Sequence, residues 1–404
     1  MNKLTLKLVG VTVVAASLAL AGCGERGATP SGSAPGGEVK TAKIGFIAPL
    51  SGSLSALGLG MRNSVQLAVD QANAANAIPG WKLELAAEDD QATPDVGKNA
   101  ATKLASDDAV VGVVGTLNSS VAQSVIPVLD AAHIVQISPA NTNPGLTQGA
   151  NPASPKRPNA NYFRTATTDA VQGPTAAKFL LDAGMKKVAT VHDKKAYGQG
   201  LVEEFTKAFK AGGGTITAAE TINPDDSDFS AVITKVKATA PELVYYGGEY
   251  PQAGPLSGQM KAAGLKVPLM GGDGIYDPTF IELAGGAAAE GDYATSVGAP
   301  PDELESAGKF RDDYKAAGFA EPWGGYGPMA YDAAQAIIEG LKVSLASASD
   351  AKSAREATIE AVGKASFDGA TGKVAFDEFG DTVTKTITVY KVTNGAWATE
   401  KVLS

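Results

Sequence analysis

The sequence contains one cysteine and two histidines among 404 residues, and these scarcities exclude several classes of protein. A single thiol cannot form an internal disulfide, and Cys23 with His133 and His192 cannot assemble the usual zinc or Cys/His catalytic sites. The net charge is −9 and no lysine- and arginine-rich run is present. Because nucleic acids require a concentrated basic surface, we expect no nucleic-acid partner.

Motifs of catalysis and of cofactor binding are also missing. The sequence has no Gly-x-Ser-x-Gly elbow, no phosphate loop and no Gly-x-Gly-x-x-Gly after a predicted strand. The acidic groups Glu88–Asp90 and Asp225–Asp228 lack the alternation and the closing glutamate of a calcium loop, so they are interpreted as solvated turns. The chain is therefore predicted to need no metal or cofactor and not to be an enzyme, with an enzyme kept as the alternative of a different class.

What is present is the composition of a globular protein with many tight connections. Hydrophobic residues make up 44% and charged residues 19%, a balance too apolar for a disordered chain and too polar for a multi-span membrane protein. The length predicts two or three domains, and 47 glycines with 22 prolines favour short turns over a helical rod. Two large lobes fit these numbers.

The N-terminus has the pattern of a secretory leader. Lys3 and Lys7 precede an apolar run from Leu8 to Gly22, which is shorter than the ~20 residues of a membrane-spanning helix. The run closes on Leu-Ala-Gly-Cys, which resembles the lipobox of bacterial lipoproteins. The resemblance implies cleavage after residue 22 and acylation of Cys23, which would hold the protein on a membrane. The alternative is a buried structural cysteine.

A flexible tether is predicted to follow the cysteine. Residues 24–40 are rich in Gly, Ser, Pro and Ala and have almost no large apolar side chain. As a coil they would span about 20 Å, so the folded part would float outside the cytoplasm, just off a membrane surface. We expect folding to begin near Thr41.

Short apolar runs then alternate with amphipathic segments, which predicts an α/β fold. One helix face is formed by Met61, Val65, Ala68, Val69 and Ala72. Strand, helix and strand in series indicate right-handed crossovers and a doubly wound parallel sheet. The predicted strands of this first lobe are Lys43–Pro49, Lys82–Glu88, Ala109–Gly115 and Ile134–Ser138.

The same alternation restarts after the Pro- and Asn-rich residues 151–161, which predicts a second α/β lobe. Its strands are Lys187–His192 and Glu242–Gly247, with a helix face through Leu201, Phe205, Ala208 and Phe209. Further helices are predicted at residues 307–317 and 329–345. The alternating segment Thr384–Val392 is predicted to be a final strand at a sheet edge.

Ligands of open α/β sheets bind at the carboxyl ends of strands, and two such places can be identified. After the strand ending at Gly115, Ser119 or Ser120 is the predicted N-cap of a helix whose free N–H groups favour a carboxylate. A plain N-cap without a ligand is the alternative. The second place is Ser138–Thr142, again at the end of a strand.

Seven separated motifs occur in order from about Lys43 to the C-terminus: KIGFIAPLSG, VVGTLNSS, ISPANTNPGLT, VHDKKAYGQG, VYYGGEYP, LMGGDG and GKVAFDEFGD. Together they resemble the bacterial periplasmic leucine/isoleucine/valine-binding proteins that serve ABC importers. The resemblance implies two doubly wound parallel-sheet lobes joined by three crossing segments, near Arg164, Thr295 and Gly380, which close on an amino acid.

The resemblance also implies domain boundaries and partners. Lobe 1 would comprise residues 41–164 with 296–379, and lobe 2 residues 165–295 with 380–404. The expected partners are an amino acid, an ABC permease of the branched-chain type and a membrane reached through the lipid, and the protein is expected to be a monomer. A ligand sensor that docks on a membrane receptor is the alternative, because it uses the same fold and cleft.

The family's ligand contacts correspond to particular residues here. Ser119 and Thr142, with their backbone N–H groups, would hold the ligand carboxylate. The carbonyl of Ala140 and the carboxylate of Asp273 would hold the ammonium, although Asp273 is one methylene shorter than the family's usual glutamate. Tyr197 would close from the second lobe, where simple core packing is the alternative.

The remaining contacts concern the ligand side chain. Leu117 and Tyr326 match residues beside it, with core packing again the alternative for Tyr326. Two positions depart from the family: Leu57 stands where an aromatic is frequent, and Glu249 where a tyrosine is frequent. Glu249 could face the ligand amine, pair with a lysine, select a second positive group or point to solvent at the rim. A polar or basic amino acid or a small amide therefore stays open as the ligand.

Overall fold

The computed structural model describes residues 39–404. The predicted leader, the predicted acylation site Cys23 and the predicted tether up to residue 38 lie outside the described residues. Regular structure begins at Lys40, close to the predicted start of folding.

The chain alternates strands and helices along most of its length. The strands are β1 Lys40–Ala48, β2 Trp81–Asp89, β3 Val110–Gly115, β4 Val135–Ser138, β5 Tyr162–Arg164, β6 Lys187–His192, β7 Thr215–Thr221, β8 Leu243–Gly247, β9 Leu269–Gly271, β10 Tyr293–Ser296, β11 Ser366–Gly369, β12 Gly372–Ala375, β13 Ile387–Thr393 and β14 Ala396–Leu403. The α-helices are α1 Ser55–Ala74, α2 Pro94–Ser106, α3 Ser119–Ala131, α4 Gly145–Gln148, α5 Asp169–Asp182, α6 Ala196–Ala211, α7 Ser230–Ala238, α8 Tyr250–Ala262, α9 Pro278–Leu283, α10 Gly308–Ala317, α11 Gly327–Ser344 and α12 Arg355–Gly363. Single 3₁₀ turns occur at Asp273–Ile275, Gly286–Ala289 and Lys352–Ala354.

The first sheet is entirely parallel, in the order β2-β1-β3-β4-β5. All six residues of β3 are buried, as expected for a central strand covered on both faces. Val113 packs towards α2 and α3, whereas the adjacent Val114 lies in the core beneath α1 and α11. The side-chain period of two thus divides one valine-rich strand between two cores.

The second sheet has the order β14-β13-β10-β9-β8-β6-β7, and its five strands from β10 to β7 are parallel. The helix face predicted through Leu201 and Phe205 packs in its core, where the ring of Phe205 stacks on Tyr245 with centroids 3.7 Å apart. Both predicted lobes are therefore present as parallel α/β layers.

The predicted position of the final strand is wrong. The segment Thr384–Val392 corresponds to β13, which is not at an edge because β14 pairs with its outer side. The two strands are antiparallel and are joined by Asn394 and Gly395, whose φ values of 55° and 76° suit a two-residue hairpin turn. An Asn-Gly pair between two predicted strands indicates a hairpin, so Asn394 and Gly395 indicate a further strand after residue 395.

The chain passes between the two sheets three times: after β5, after β10 and before β13. Two of these passages are bonded directly to each other, because the N–H of Arg164 donates to the carbonyl of Gly380 at 3.0 Å. The Arg164 Nε also donates to Asp381 Oδ1 at 2.6 Å, and neither side chain is exposed beyond 1%. Helices α10, α11 and α12 follow the second passage; α11 and α12 pack against β3 and β4 of the first sheet, and α10 packs against α1. The two lobes are therefore joined by three crossing segments, and these segments form the hinge.

Candidate amino-acid-binding cleft

A small cavity lies between the lobes at the carboxyl ends of their central strands. Strands β3, β4, β8 and β9 all end beside it, and ligands of open α/β sheets bind at such carboxyl ends. Eight of the nine residues predicted from the sequence line it, together with two that were not predicted. The lining residues are Leu57, Leu117, Asn118, Ser119, Ala140, Tyr197, Glu249, Asp273, Gly274 and Tyr326.

Ser119 lies at the N-terminus of α3, but it is not the cap. Asn118 occupies the cap position with extended backbone, Ser119 is the first residue of the helix and Ser120 follows it, so the predicted N-cap is wrong by one residue. No side chain bonds to the free N–H groups of this 13-residue helix at the cap. Within residues 39–404, the buried Ser119 hydroxyl has no hydrogen-bond partner. This end of the cavity therefore presents donors and a positive helix terminus.

The second loop, Ser138–Thr142, is fixed against the first by buried hydrogen bonds. The Ser138 hydroxyl donates to the carbonyl of Thr116 at 2.8 Å and accepts from the N–H of Asn141 at 2.8 Å. Asn141 in turn donates through Nδ2 to the carbonyl of Leu117 at 2.8 Å. Ala140 reaches the cavity wall, whereas Thr142 is fully buried behind it and is absent from the lining.

Asp273 is held from three sides. Its Oδ1 accepts from Tyr197 Oη and Gln172 Nε2, both at 2.9 Å, and its Oδ2 accepts from Tyr326 Oη at 2.7 Å. Burial raises the pKa of Asp273, while these three donors oppose the rise. Burial also raises the pKa of Tyr197 and of Tyr326 well above the usual value, so both hydroxyls stay protonated and donate. The arrangement orients a carboxylate towards the cavity in a fixed position.

Glu249 is buried rather than at a solvated rim. Only 4% of the residue is exposed, its Oε2 accepts from Lys195 Nζ at 2.9 Å, and its Oε1 accepts from Asn118 Nδ2 at 2.7 Å. Of the sequence alternatives, the structure therefore shows the pairing with a lysine. Gly248 precedes it with a φ of 151°, and a Cβ there would lie 2.4 Å from the Tyr246 hydroxyl. The glycine is thus needed to bring Glu249 into the cleft.

A second carboxyl group accompanies this ion pair. Asp193 is fully buried, its Oδ1 accepts from the N–H of Lys195 at 3.0 Å, and its Oδ2 lies 4.0 Å from Lys195 Nζ with no hydrogen-bond partner within the described part of the chain. Burial, with the nearby charge of Glu249, raises the pKa of Asp193 to about 8. Two acids therefore share one lysine, and this crowding of negative charge favours the protonated form of Asp193.

Direct hydrogen bonds connect the lobes around the cavity, and one joins backbone to backbone, because the N–H of Asp169 donates to the carbonyl of Thr142 at 2.8 Å. Four bonds made by side chains also lie close to the cavity. Two of them, Asn118 to Glu249 and Tyr326 to Asp273, involve residues of the cavity wall. The other two flank it: the Tyr250 hydroxyl donates to the carbonyl of Ser53, and Asn143 Nδ2 donates to the carbonyl of Ala196 at 2.7 Å. Polar contacts thus bridge the lobes beside the cavity, and one hydrophobic cluster includes residues of both lobes there, among them Leu57 and Ile275.

The sequence analysis missed Asn118, Gly274, Lys195 and Gln172. Asn118 and Lys195 were each adjacent to a considered position, in the TLNSS and DKKAYGQG segments, and their side chains were a usable signal. Gln172 lies one turn into α5, 101 residues from its partner Asp273, and no local pattern indicates it.

The acidic turns do not form a metal site. In the part of the chain that the structure describes, no group of three acidic, histidine or cysteine side chains is arranged to hold an ion. Asp89 accepts hydrogen bonds from the N–H of Leu50 and the hydroxyl of Ser51. Asp90 is fully buried, so the description of this segment as a solvated turn is wrong for that residue. No described helix is long and apolar enough to cross a membrane.

Comparison with known proteins identifies the family. The sequence model of the periplasmic binding protein family matches residues 41–396. The Leu/Ile/Val-binding protein BraC3 of Rhizobium johnstonii is 36% identical over 355 residues, covering 86% of this chain and 90% of that protein. The leucine-, isoleucine-, valine-, threonine- and alanine-binding protein of Pseudomonas aeruginosa is 32% identical over 361 residues, covering 89% of this chain and 92% of its own length.

Solved structures agree with this assignment. The substrate-binding protein LivJ of the branched-chain amino acid transporter from Streptococcus pneumoniae, crystallised with isoleucine, superimposes with a TM-score of 0.78 at 29% identity, covering 90% of this chain and 99% of that one. The leucine-binding protein LivK of Thermotoga maritima gives 0.79 at 27% identity, covering 90% and 98%. The chain therefore belongs to the periplasmic binding protein family, with the fold of two α/β lobes around a ligand cleft.

Proposed function

We propose that the protein captures an α-amino acid in the cleft between its lobes and delivers it to an ABC importer outside the cytoplasm. The observation that carries this proposal is the polarity of the cavity. One lobe contributes the donors at the start of α3, and the other contributes the carboxylate of Asp273. An amino-acid zwitterion has the matching charges, an anion at one end and a cation at the other.

In this proposal the carboxylate binds Ser119 and the free N–H groups of α3, and the ammonium binds Asp273 and the carbonyl of Ala140. Thr142 is proposed to support the carboxylate end from its buried position, through its backbone. Tyr197 and Tyr326 hold Asp273 and also form part of the wall. The site binds and releases its ligand unchanged, so no residue of the cavity is assigned a catalytic role.

The first candidates for the ligand are branched-chain amino acids. Leu57, Leu117 and the rings of Tyr197 and Tyr326 supply apolar wall area for an aliphatic side chain. The named ligands of the relatives, which include leucine, isoleucine and valine, support this choice.

A second candidate is a polar or basic amino acid or a small amide. The buried Glu249 and Asn118 place a carboxylate and a carboxamide in the same wall. Within residues 39–404 the Asn118 Oδ1 has no hydrogen-bond partner, so it can accept from a donor on the ligand.

A thermal-shift screen over the twenty amino acids, small amides and urea tests the proposal and separates the two candidates. A ligand that binds only the native state at 100 times its Kd adds about 2.7 kcal/mol to the free energy of unfolding, which raises Tm measurably. Branched-chain amino acids should give the largest shifts under the first candidate, and polar or amide compounds under the second. No shift from any amino acid or amide would contradict the proposed function.

The cellular context is part of the same proposal. We infer a monomer held by a lipid on Cys23, with a permease of the branched-chain amino acid type as its partner. A receptor-docking sensor would use the same cleft. Radiolabelled uptake in cells that lack only this protein distinguishes the two, because loss of uptake indicates transport and unchanged uptake indicates sensing.

A further inference from the structure

A second cavity lies beside the amino-acid cleft and shares no lining residue with it. Its volume is about 580 Å³, within the range of sites that bind small molecules. Both lobes contribute, since Ala56 and Trp323 belong to segments that pack with the first sheet, and Tyr276 and Trp397 to segments that pack with the second. Neighbouring residues of the chain line the two cavities: Leu57 and Tyr326 the first, Ala56 and Gly325 the second.

Aromatic rings form the apolar part of this second cavity. Tyr276, Trp323 and Trp397 line it, and each is only partly buried. Each ring is also supported by another aromatic side chain. Tyr276 stacks on Tyr390 with centroids 4.0 Å apart, Trp323 stacks on Phe310 at 5.4 Å, and Trp397 lies 5.4 Å from Phe280. Because their positions are fixed by this packing, the remaining ring surfaces form preorganised walls.

The charged part of the cavity is acidic only. Asp277, Glu282 and Asp302 line it, and no lysine, arginine or histidine is among its lining residues. Asp277 is 8% exposed, and its Oδ1 accepts from the N–H of Thr279 at 2.8 Å, which fixes the carboxylate at the start of α9. Within residues 39–404, none of the three acids forms an ion pair.

Aromatic ring faces and unpaired carboxylates attract the same kind of ligand. An organic cation gains from the negative faces of Trp and Tyr rings and from the acids, whereas an anion is repelled and a neutral molecule gains only the apolar contact. We propose that this second cavity binds a small organic cation of the alkylammonium type. This site is independent of the proposed amino-acid site, because none of its residues is required there.

Tryptophan fluorescence reports on this cavity directly. The protein has three tryptophans, and two of them, Trp323 and Trp397, line it, whereas Trp81 lies at the start of β2. The purified protein is titrated with choline at constant ionic strength, and in parallel with 3,3-dimethylbutan-1-ol, a neutral molecule of the same shape. We expect a saturable change with choline only, and the same change in Trp81→Phe.

Matched variants locate the response. Asp277→Asn keeps the oxygen that accepts from Thr279 but removes the charge, so it should weaken choline binding by about fivefold. Glu282→Gln combined with Asp302→Asn alters only exposed residues and should also weaken it, which guards against misfolding as the cause. Asp273→Ala, which removes the proposed ammonium partner in the first cavity, should retain the response.

Three results would overturn the proposal. They are an equal response to the neutral alcohol, an undiminished response in both acid-to-amide variants, and the absence of any saturable change up to ~50 mM choline, where a millimolar site is filled. None of these depends on whether an amino acid binds in the first cavity. Failure of this inference and failure of the proposed function are therefore distinguishable.

Discussion

Asp273 is the residue on which the proposed ammonium site depends. Three side-chain donors, from Tyr197, Gln172 and Tyr326, fix its carboxylate without neutralising it. In the proposed site, the ammonium of the ligand balances this charge inside the cavity.

Replacing Asp273 by alanine should weaken amino-acid binding strongly. The change leaves a buried ammonium without its anion, which typically costs about 2–5 kcal/mol. Affinity measured by calorimetry should therefore fall by roughly 30-fold to several-thousand-fold. Asp312→Ala, an exposed site on α10, is the matched control and should bind as the wild type does. Wild-type affinity in Asp273→Ala would rule out the ammonium site.

The carboxyl of Asp193 should make stability depend on pH. Burial raises its pKa from 3.8 to about 8 in the folded protein. At a pH between these two values, the folded state therefore holds a proton that the unfolded state has already lost. Unfolding free energy then falls as pH rises from about 4 to about 8, because the unfolded state binds fewer protons. Asp193→Asn keeps an oxygen for the N–H of Lys195 and removes this titration.

Urea unfolding of wild type and Asp193→Asn between pH 5 and 8 measures this effect. The variant should lose less stability across the range than the wild type. Asp312→Asn, which is exposed, should follow the wild-type slope. Parallel slopes for wild type and Asp193→Asn would show that Asp193 is ionised in the folded protein throughout.

At the scale of elements, the hinge is held by one buried arginine. Arg164 ends β5 and donates to Asp381 and to the carbonyls of Asn141 and Asn143, so it connects two crossing segments and the second loop of the cleft. Burying the Arg164 charge is unfavourable by itself, and the paired charge of Asp381 offsets this cost. Arg164 therefore ties these segments together in the folded protein.

Replacing Arg164 by methionine should destabilise the protein by about 3–5 kcal/mol, because Asp381 is left buried and without its cation. The measurement is the urea midpoint at pH 7. Lys178→Met breaks an exposed pair with Asp182 within α5 and should cost under about 1 kcal/mol. A loss for Arg164→Met as small as that of the control would mean that the buried pair contributes no more than a surface one.

At the scale of the whole molecule, the two lobes should close on the ligand. Three chain segments join the lobes, and hydrogen bonds such as Asn118 to Glu249 bridge them beside the cavity. In the proposed site the ligand adds bonds to both lobes, which favours the closed state. Small-angle scattering should show a smaller radius of gyration with saturating amino acid. Asp273→Ala at the same ligand concentration should not contract. An unchanged wild-type profile at saturation would argue against closure.

Membrane attachment is predicted to depend on one atom, the sulfur of Cys23. Cys23→Ala should move the protein from the membrane fraction to the soluble extracytoplasmic fraction, because the acyl chains are the proposed anchor. Fractionation with a high-salt wash checks this, and Ser31→Ala in the predicted tether is the control that should stay attached. A Cys23→Ala variant that resists the wash would disprove the lipid anchor.

Much of the fold was predictable because its signals are local. The strands at Lys187–His192 and Ala109–Gly115 and the helix face through Leu201 and Phe205 were found from periodicity within a few residues. The position of Thr384–Val392 within its sheet was not predicted correctly. Its outer neighbour β14 follows a hairpin turn, and the alternation within this segment does not reveal that strand. In the cleft, the family resemblance identified eight of the ten lining residues. Local sequence patterns without the resemblance would have identified fewer of these residues.

The sequence by itself determined the α/β alternation, the presence of two lobes and the chemistry of the candidate site. These features depend on repeats, turns and motifs that each lie within a short segment of the chain. Only the tertiary structure decided how those residues pair. Asn118 meets Glu249 across 131 residues, and Gln172 meets Asp273 across 101. A side chain's partner depends on which surfaces the fold brings within about 3 Å, and no local pattern encodes that distance. Gly248 lets the backbone bring Glu249 into the cleft, but the ion-pair partner Lys195 is 54 residues away and the hydrogen-bond partner Asn118 belongs to the lobe opposite.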